Sequence, residues 1–148
     1  MKAAEDRILV DTNVLIYATL DRDPRSKRAR EILLSRTSGE RFTSVQNLAE
    51  MYPAMTGPRL ETPDSPAMAR AKIQSIASLQ NLQVLPLTSD VQTVALELCE
   101  KYGITRQKYY DAQIAATMIF HGIRTLFTEN ERDFRDMGEI RAVNPFAG

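Results

Sequence analysis

The stretch that decides the fold of this chain is an apolar run that ends in a carboxylate and leads into a helical pattern: Arg7-Ile8-Leu9-Val10-Asp11-Thr12-Asn13-Val14-Leu15-Ile16-Tyr17. A short, unbroken apolar run is typical of a strand buried on both faces of a parallel sheet. Open α/β folds place their sites at the carboxyl ends of such strands, where Asp11 follows. The residue could instead only cap the helix. This stretch alone leaves both interpretations open.

Four more strand-like runs follow, at residues 41–43, 82–87, 123–127 and 140–143. Helical patterns separate most of them, and candidate caps mark several helix ends: Ser44, then Thr88 or Ser89, and Gly103. Strands that alternate with helices indicate an α/β fold with a mainly parallel, roughly five-stranded sheet and helices on both faces. The polar, proline-rich segment 59–66 is expected to be an exposed loop.

Length and composition indicate an ordinary single domain over residues 1–148. The formal net charge is zero, which argues against a protein that coats nucleic acid by bulk charge but allows an acidic pocket balanced by basic patches. The single cysteine excludes an internal disulfide and fits a reducing compartment. No stretch is long and apolar enough to span a membrane, and residues 1–6 are charged, without the apolar region of a signal peptide. We therefore expect a cytoplasmic protein with no membrane association.

Four acids stand out by their positions relative to these elements: Asp11, Glu50, Asp111 and Asp133. Asp111 lies on the same helical stripe as Ile114, Ala115 and Met118. An acid that only served the helix dipole would normally face water, so this pattern favours a functional role for Asp111. Glu50 lies beside an apolar stripe and would, in isolation, most often be a surface residue.

In a parallel sheet, the carboxyl ends of all strands meet at one edge, so the four acids could converge there. Converging carboxylates repel one another and resist ionisation, and a hard divalent cation removes that conflict. Mg²⁺ or Mn²⁺ prefers oxygen ligands and supports attack by water on a phosphodiester. One cysteine and one histidine cannot form a zinc set. Replacement of one acid by its amide is expected to relieve the repulsion and stabilise the metal-free protein.

Four motifs in this order resemble the PIN domain family, and within it the VapC-type toxins of toxin–antitoxin pairs. They are residues 10–16 (Val-Asp-Thr-Asn-Val-Leu-Ile), 44–50, 110–116 (Tyr-Asp-Ala-Gln-Ile-Ala-Ala) and 126–134. The resemblance implies an α/β/α sandwich and a Mg²⁺- or Mn²⁺-dependent endoribonuclease. It also implies an RNA substrate, a homodimer and inhibition by a cognate antitoxin protein.

By the same resemblance, Asp11, Glu50 and Asp111 would be the metal-site and catalytic carboxylates. Relatives differ in the fourth acid: many carry it where Asn130 stands, others at the position of Asp133. We predict Asp133, with Asn130 as a ligand to water or substrate. Asn13 and Thr128 are predicted to orient the carboxylates by hydrogen bonding.

Basic residues supply candidate contacts to RNA: Arg25, Lys27, Arg28 and Arg106. Taken one by one, the basic residues at 25–30 are better explained as a solvated helix face, and a phosphate-binding patch is the alternative.

Two other functions compete with a ribonuclease. A catalytically degenerate PIN domain would only bind RNA or protein, which the presence of all four acids disfavours. An aspartyl-phosphate phosphatase of similar topology would need a second acid shortly after Asp11, where Thr12 and Asn13 stand instead.

Overall fold

The computed structural model describes residues 7–35, 39–58 and 60–147. Residues 1–6 and the start of the expected loop at Arg59 lie outside these ranges. The described strands form one parallel sheet in the order β3-β2-β1-β4-β5. Their bounds are β1 Arg7–Val10, β2 Glu40–Ser44, β3 Leu82–Leu85, β4 Thr125–Phe127 and β5 Arg141–Val143. The predicted five-stranded parallel sheet is therefore confirmed, and β1 is its central strand.

Six α-helices cover the two faces of this sheet in the described ranges. They are α1 Thr12–Thr19, α2 Ser26–Leu34, α3 Val45–Thr56, α4 Pro66–Ala77, α5 Ser89–Tyr102 and α6 Tyr109–Phe120. Side chains of β1 alternate between the two layers: Leu9 packs in a core with α5 and α6, whereas Ile8 and Val10 pack with α1 to α4. This alternation produces the three-layer α/β/α sandwich.

The strand order changes direction at β1, because the chain builds β2 and β3 on one side of it and β4 and β5 on the other. In open α/β sheets, a crevice forms at such a point, outside the carboxyl ends of the strands. Asp11 follows β1 directly and lies at this crevice. The sheet topology thus places the residue singled out from the sequence next to the switch in strand order.

Local capping sets several helix boundaries as predicted. The Ser44 hydroxyl accepts a hydrogen bond from the Asn47 amide at the start of α3, and the Thr88 hydroxyl does the same for Val91 at the start of α5. Gly103 ends α5 in the left-handed conformation, with φ of 64°. The expected exposed loop before α4 differs in one respect: the Asp64 side chain is buried, 3.0 Å from Lys72 Nζ.

No helix in the described ranges combines the length and apolar character needed to cross a membrane.

Candidate metal and nuclease site

Asp11 both caps α1 and lies at the floor of the crevice, so the two interpretations of its sequence position are compatible. Its Oδ1 accepts a hydrogen bond of 2.8 Å from the Thr12 amide, and the residue is 6% exposed. Asn47 Nδ2 donates to the same oxygen at 3.0 Å. Thr128 Oγ1 donates to Oδ2 at 2.7 Å, and Asn13 Nδ2 lies 3.4 Å from it. Both carboxylate oxygens are therefore surrounded by donors.

The pKa of Asp11 is raised above its ordinary value chiefly because burial removes hydration from the carboxylate. Hydrogen bonds from Thr128 and Thr12 favour the charged form and oppose this rise. The negative charges of Glu50 and Asp133 raise the pKa of Asp11 further. Asp11 is thus coupled electrostatically to two of the other predicted acids.

Glu50 projects from α3, and a different donor holds each of its oxygens. Thr12 Oγ1 donates to Oε2 at 3.2 Å, and Gln46 Nε2 donates to Oε1 at 3.0 Å. Because Thr12 follows Asp11 in the chain, its hydroxyl links the start of α1 to this carboxylate. The sequence pattern in isolation suggested that Glu50 is a surface residue. These hydrogen bonds instead restrict the rotation of its side chain.

Asp111 lies half-buried in the first turn of α6, and its pKa is raised to about 6. Burial is the largest cause, followed by the negative charge of Asp133. Lys108 opposes the rise, while Asp11 and Glu50 add smaller contributions. All four predicted acids thus share one electrostatic environment.

The four acids line one open groove of about 1000 Å³, together with Asn130 and other residues. We call this the acidic groove and define it by Asp11, Glu50, Asp111, Asn130 and Asp133. Asp133 is exposed and belongs to a 3₁₀ turn at Glu131–Phe134. Lys108 Nζ donates to the Asp133 backbone carbonyl at 2.8 Å and so ties this turn to the segment before α6.

Most of the potential metal ligands in the acidic groove are carboxylates. Their oxygens suit a hard divalent cation such as Mg²⁺ or Mn²⁺. In the described parts of the chain, no three histidine, cysteine or acidic side chains already lie close enough to hold one ion together. The acids therefore have the ligand chemistry for such an ion and line the same groove. To ligate one ion together, their side chains would have to move closer to one another.

A second charged cluster forms one wall of the groove. Arg25 makes ion pairs with Asp23 and with Glu129, at 2.8 and 2.7 Å, and its guanidinium stacks 3.9 Å above the Tyr17 ring. The Tyr17 hydroxyl donates to Glu129, and burial together with this contact raises the pKa of Tyr17 to about 12. These contacts anchor the loop that follows β4, where Thr128 lies.

The predicted RNA contacts occupy different environments. Arg25 is engaged in the cluster just described, whereas Lys27 and Arg28 are exposed on α2. Arg28 lies 3.8 Å from Glu31 across the helix surface. Arg106 is exposed in the segment before α6 and has a positive φ of 57°, which is uncommon for a residue with a side chain.

Several residues that shape the site were not singled out from the sequence. They are Thr12, Gln46, Asn47 and Lys108, which contact Glu50, Asp11 or the Asp133 turn. Asn47 and Glu50 are three residues apart and therefore share a face of α3. That spacing was the available signal for Asn47.

The PIN domain family model matches residues 8–140, a range that contains all four acids. The chain belongs to the PIN domain family. This assignment confirms the resemblance on which the site prediction was based.

Individual relatives agree with the family assignment. Ribonuclease VapC24 of Mycobacterium tuberculosis is 26% identical over 138 residues, which cover 92% of this chain and 94% of the relative. The structure of VapC20 from the same species, described as a sarcin-ricin loop cleaving toxin, has a TM-score of 0.66 at 21% identity and covers 90% of this chain and 98% of its own. FitAcB from Neisseria gonorrhoeae has a TM-score of 0.67 at 23% identity, and the match covers 95% of this chain and 99% of FitAcB. At these identities, the solved structures establish the shared fold.

Proposed function

We propose that this PIN domain is a Mg²⁺- or Mn²⁺-dependent endoribonuclease that hydrolyses RNA phosphodiester bonds and acts as the toxin of a toxin–antitoxin pair. One observation supports this proposal above all others: Asp11, Glu50, Asp111 and Asp133 lie in one groove, where the charges of Glu50 and Asp133 help to raise the pKa values of Asp11 and Asp111. Four acids from distant parts of the chain share this position although their mutual repulsion is unfavourable without a cation.

The four acids would hold the metal, with Asn130 contributing an amide at the rim of the groove. When bound, the ion supplies a nucleophile at neutral pH, because it lowers the pKa of water, and it neutralises charge on the scissile phosphate. Asp11 is held by Thr128, Asn47 and the Thr12 amide, so its orientation is set before the ion arrives. Such prior orientation reduces the reorganisation needed during the reaction.

The proposed partners are inferred from the relatives. A relative named as a ribonuclease and a neighbour described as a sarcin-ricin loop cleaving toxin support RNA as the substrate. Toxin–antitoxin complexes among the neighbours support an antitoxin partner. We further propose that residues 1–148 form a single nuclease domain, which acts as a homodimer in the cytoplasm. A short reading frame immediately upstream that encodes a protein able to block cleavage would support the toxin role.

The decisive experiment is cleavage of a labelled structured RNA by the purified protein in Mg²⁺, in Mn²⁺ and in EDTA. We expect metal-dependent cleavage that Asp111→Asn abolishes while leaving the folded state intact. Asp136→Asn is the matched control, because Asp136 is an exposed acid outside the acidic groove. Metal-independent cleavage, or near-wild-type cleavage by Asp111→Asn, would contradict the proposal. RNA binding without any cleavage in either metal would instead identify the degenerate, binding-only alternative.

A further inference from the structure

Gln46 lies on α3, the helix of Glu50, and also contacts α6, the helix of Asp111. It stands one turn before Glu50 on α3, and its Nε2 donates to Glu50 Oε1 at 3.0 Å. The same nitrogen donates to the backbone carbonyl of Tyr110 at 2.9 Å. Tyr110 immediately precedes Asp111 on α6. One amide therefore connects the Glu50 carboxylate to the peptide next to Asp111.

A second buried amide, that of Gln113, contacts the Gln46 amide. Gln113 Nε2 donates to Gln46 Oε1 at 2.8 Å, and the Tyr109 hydroxyl donates to Gln113 Oε1 at 3.0 Å. Gln46 and Gln113 are only 6% and 7% exposed. A carboxylate and a carbonyl can only accept hydrogen bonds, so the Gln46 amide group cannot rotate by half a turn without losing both contacts.

Glu50 is consequently held from two directions. Thr12 Oγ1 reaches its Oε2 from the side of Asp11, and Gln46 reaches its Oε1 from the side of α6. Glu50 and Asp111 would both carry negative charge and repel each other across the groove. Gln46 is neutral, and it joins α3 to α6 without neutralising either acid, which leaves both carboxylates available to a cation.

We propose that Gln46 is a positioning residue that sets the spacing between Glu50 and Asp111, and thereby sets the affinity of the acidic groove for a divalent cation. This inference rests on the proposed metal-dependent function. Its physical basis is that residues hydrogen-bonded to a ligating carboxylate orient it and strengthen metal binding. Without Gln46, the Glu50 carboxylate keeps only the hydrogen bond from Thr12 Oγ1. The hydrogen bond from α3 to the Tyr110 carbonyl is also lost.

The test compares two methionine variants of the whole protein. Methionine is close to glutamine in size, but it cannot donate a hydrogen bond to Glu50 or to the Tyr110 carbonyl. Gln113→Met is the matched control, because Gln113 is equally buried and lies in the same network but does not contact Glu50. Binding of Mn²⁺ is measured from the paramagnetic resonance signal of the free ion, with RNA cleavage against Mn²⁺ concentration as a second readout.

We expect Gln46→Met to weaken Mn²⁺ binding about tenfold or more and to raise the Mn²⁺ concentration for half-maximal cleavage by a similar factor. Gln113→Met should keep near-wild-type Mn²⁺ affinity. A purely structural role for Gln46 predicts instead that both variants lose affinity equally, or that neither does. Either of those results would overturn the inference.

The double variant Gln46→Met/Gln113→Met separates positioning from stability. Gln46→Met alone leaves the Gln113 amide without its buried partner, which costs stability, whereas the double variant removes both amides together. We expect the double variant to recover melting temperature but not Mn²⁺ affinity. Recovery of both would overturn the inference, and the double variant keeps the test informative if Gln46→Met does not fold.

The outcome for the wild-type protein distinguishes this inference from the proposed function. If wild type binds Mn²⁺ and cleaves RNA while Gln46→Met binds Mn²⁺ equally well, only the role of Gln46 is wrong. If wild type neither binds Mn²⁺ nor cleaves RNA, the proposed function and this inference are both wrong.

Discussion

The Thr128 hydroxyl donates a 2.7 Å hydrogen bond to Oδ2 of Asp11, joining residues that are 117 positions apart in the chain. The two residues follow the neighbouring strands β1 and β4 at the carboxyl edge of the sheet. The same hydroxyl oxygen accepts from Asn13 Nδ2 at 3.2 Å and from the Asn130 amide at 3.0 Å. One buried side chain thus connects the acid after β1 to the loop after β4.

Thr128→Val should impair both stability and cleavage. Valine has the same shape, but it leaves the buried Asp11 carboxylate without this donor, so we expect unfolding free energy to fall by about 2 kcal/mol. Cleavage should fall about tenfold or more, since Asp11 loses its fixed orientation. Denaturant unfolding and RNA cleavage are the measurements. Thr125→Val, at a buried threonine of the preceding strand β4, is the control. Equal effects of the two variants would show that the Thr128 hydroxyl has no special role.

Asp11→Asn should destabilise the metal-free protein, contrary to the general expectation that an amide at any of the acids relieves repulsion. Thr12, Asn47, Asn13 and Thr128 all direct hydrogen-bond donors at the Asp11 oxygens. An amide nitrogen placed there would face donors and remain buried without an acceptor, at a cost of about 1–3 kcal/mol. Thermal and denaturant unfolding in EDTA measure this cost. A variant more stable than wild type would show that charge repulsion exceeds the lost hydrogen bonds.

Asp111→Asn should instead stabilise the metal-free protein at neutral pH. The folded state raises the pKa of Asp111 to about 6, so folding opposes its ionisation, and the amide removes that opposition. Solvent screens this half-buried group, and we therefore expect a gain of only about 1 kcal/mol in EDTA at pH 7. Asp136→Asn, outside the groove, should change little. Lower stability of Asp111→Asn than of wild type at pH 7 would show that the folded state does not disfavour the charged Asp111 carboxylate.

The same pKa shift predicts how the gain depends on pH. The unfolded chain releases the Asp111 proton near pH 4, whereas the folded protein retains it until about pH 6. The folded state binds more protons in this window, so the contribution of Asp111 to wild-type stability falls as pH rises from about 4 to 6. The advantage of Asp111→Asn should therefore be small at pH 4 and complete above pH 6. Unfolding measured at several pH values in EDTA tests this; a constant difference would point to another cause.

Divalent cations should stabilise the folded protein. An ion that binds only the folded state adds RT ln(1 + [L]/Kd), about 2.7 kcal/mol at roughly 100 times its Kd. Melting of wild type in EDTA, Mg²⁺ and Mn²⁺, at matched ionic strength, measures this gain. Asp111→Asn should show a much smaller rise than wild type. Equal rises in the two proteins would mean that the ion binds outside the acidic groove.

The exposed basic residues of α2 should contribute to RNA affinity. Lys27 and Arg28 are exposed, and the Arg28–Glu31 pair lies on the helix surface. Arg25 is held by Asp23 and Glu129 in the wall of the groove and should be tested separately. The double alanine variant of Lys27 and Arg28 should weaken RNA binding and reduce the salt slope by about 0.7–0.9 per lost phosphate contact. Alanines at Arg124 and Arg141, exposed near the amino ends of β4 and β5, form the control. An unchanged salt slope would identify Lys27 and Arg28 as a solvated face.

Much of the site could be located from the sequence because local rules specify it. The apolar run before Asp11 predicts the strand, and the stripe that contains Asp111 predicts a side chain facing inward. Both acids lie in the predicted groove. Their roles as metal ligands, with those of Glu50 and Asp133, remain predictions.

The sequence by itself determined the alternation of strands and helices, several caps and the positions of the acids, because periodicity and capping act within a few residues. Only the tertiary structure decided which donors surround each acid. Thr128 meets Asp11 because β4 lies beside β1 in the sheet. Gln46 meets Tyr110 because α3 and α6 approach the same edge of the sheet. Likewise, nothing in the polar, proline-rich loop indicates that Asp64 is buried and paired with Lys72 of α4. Contacts of this kind depend on which elements become neighbours, and no local pattern encodes that.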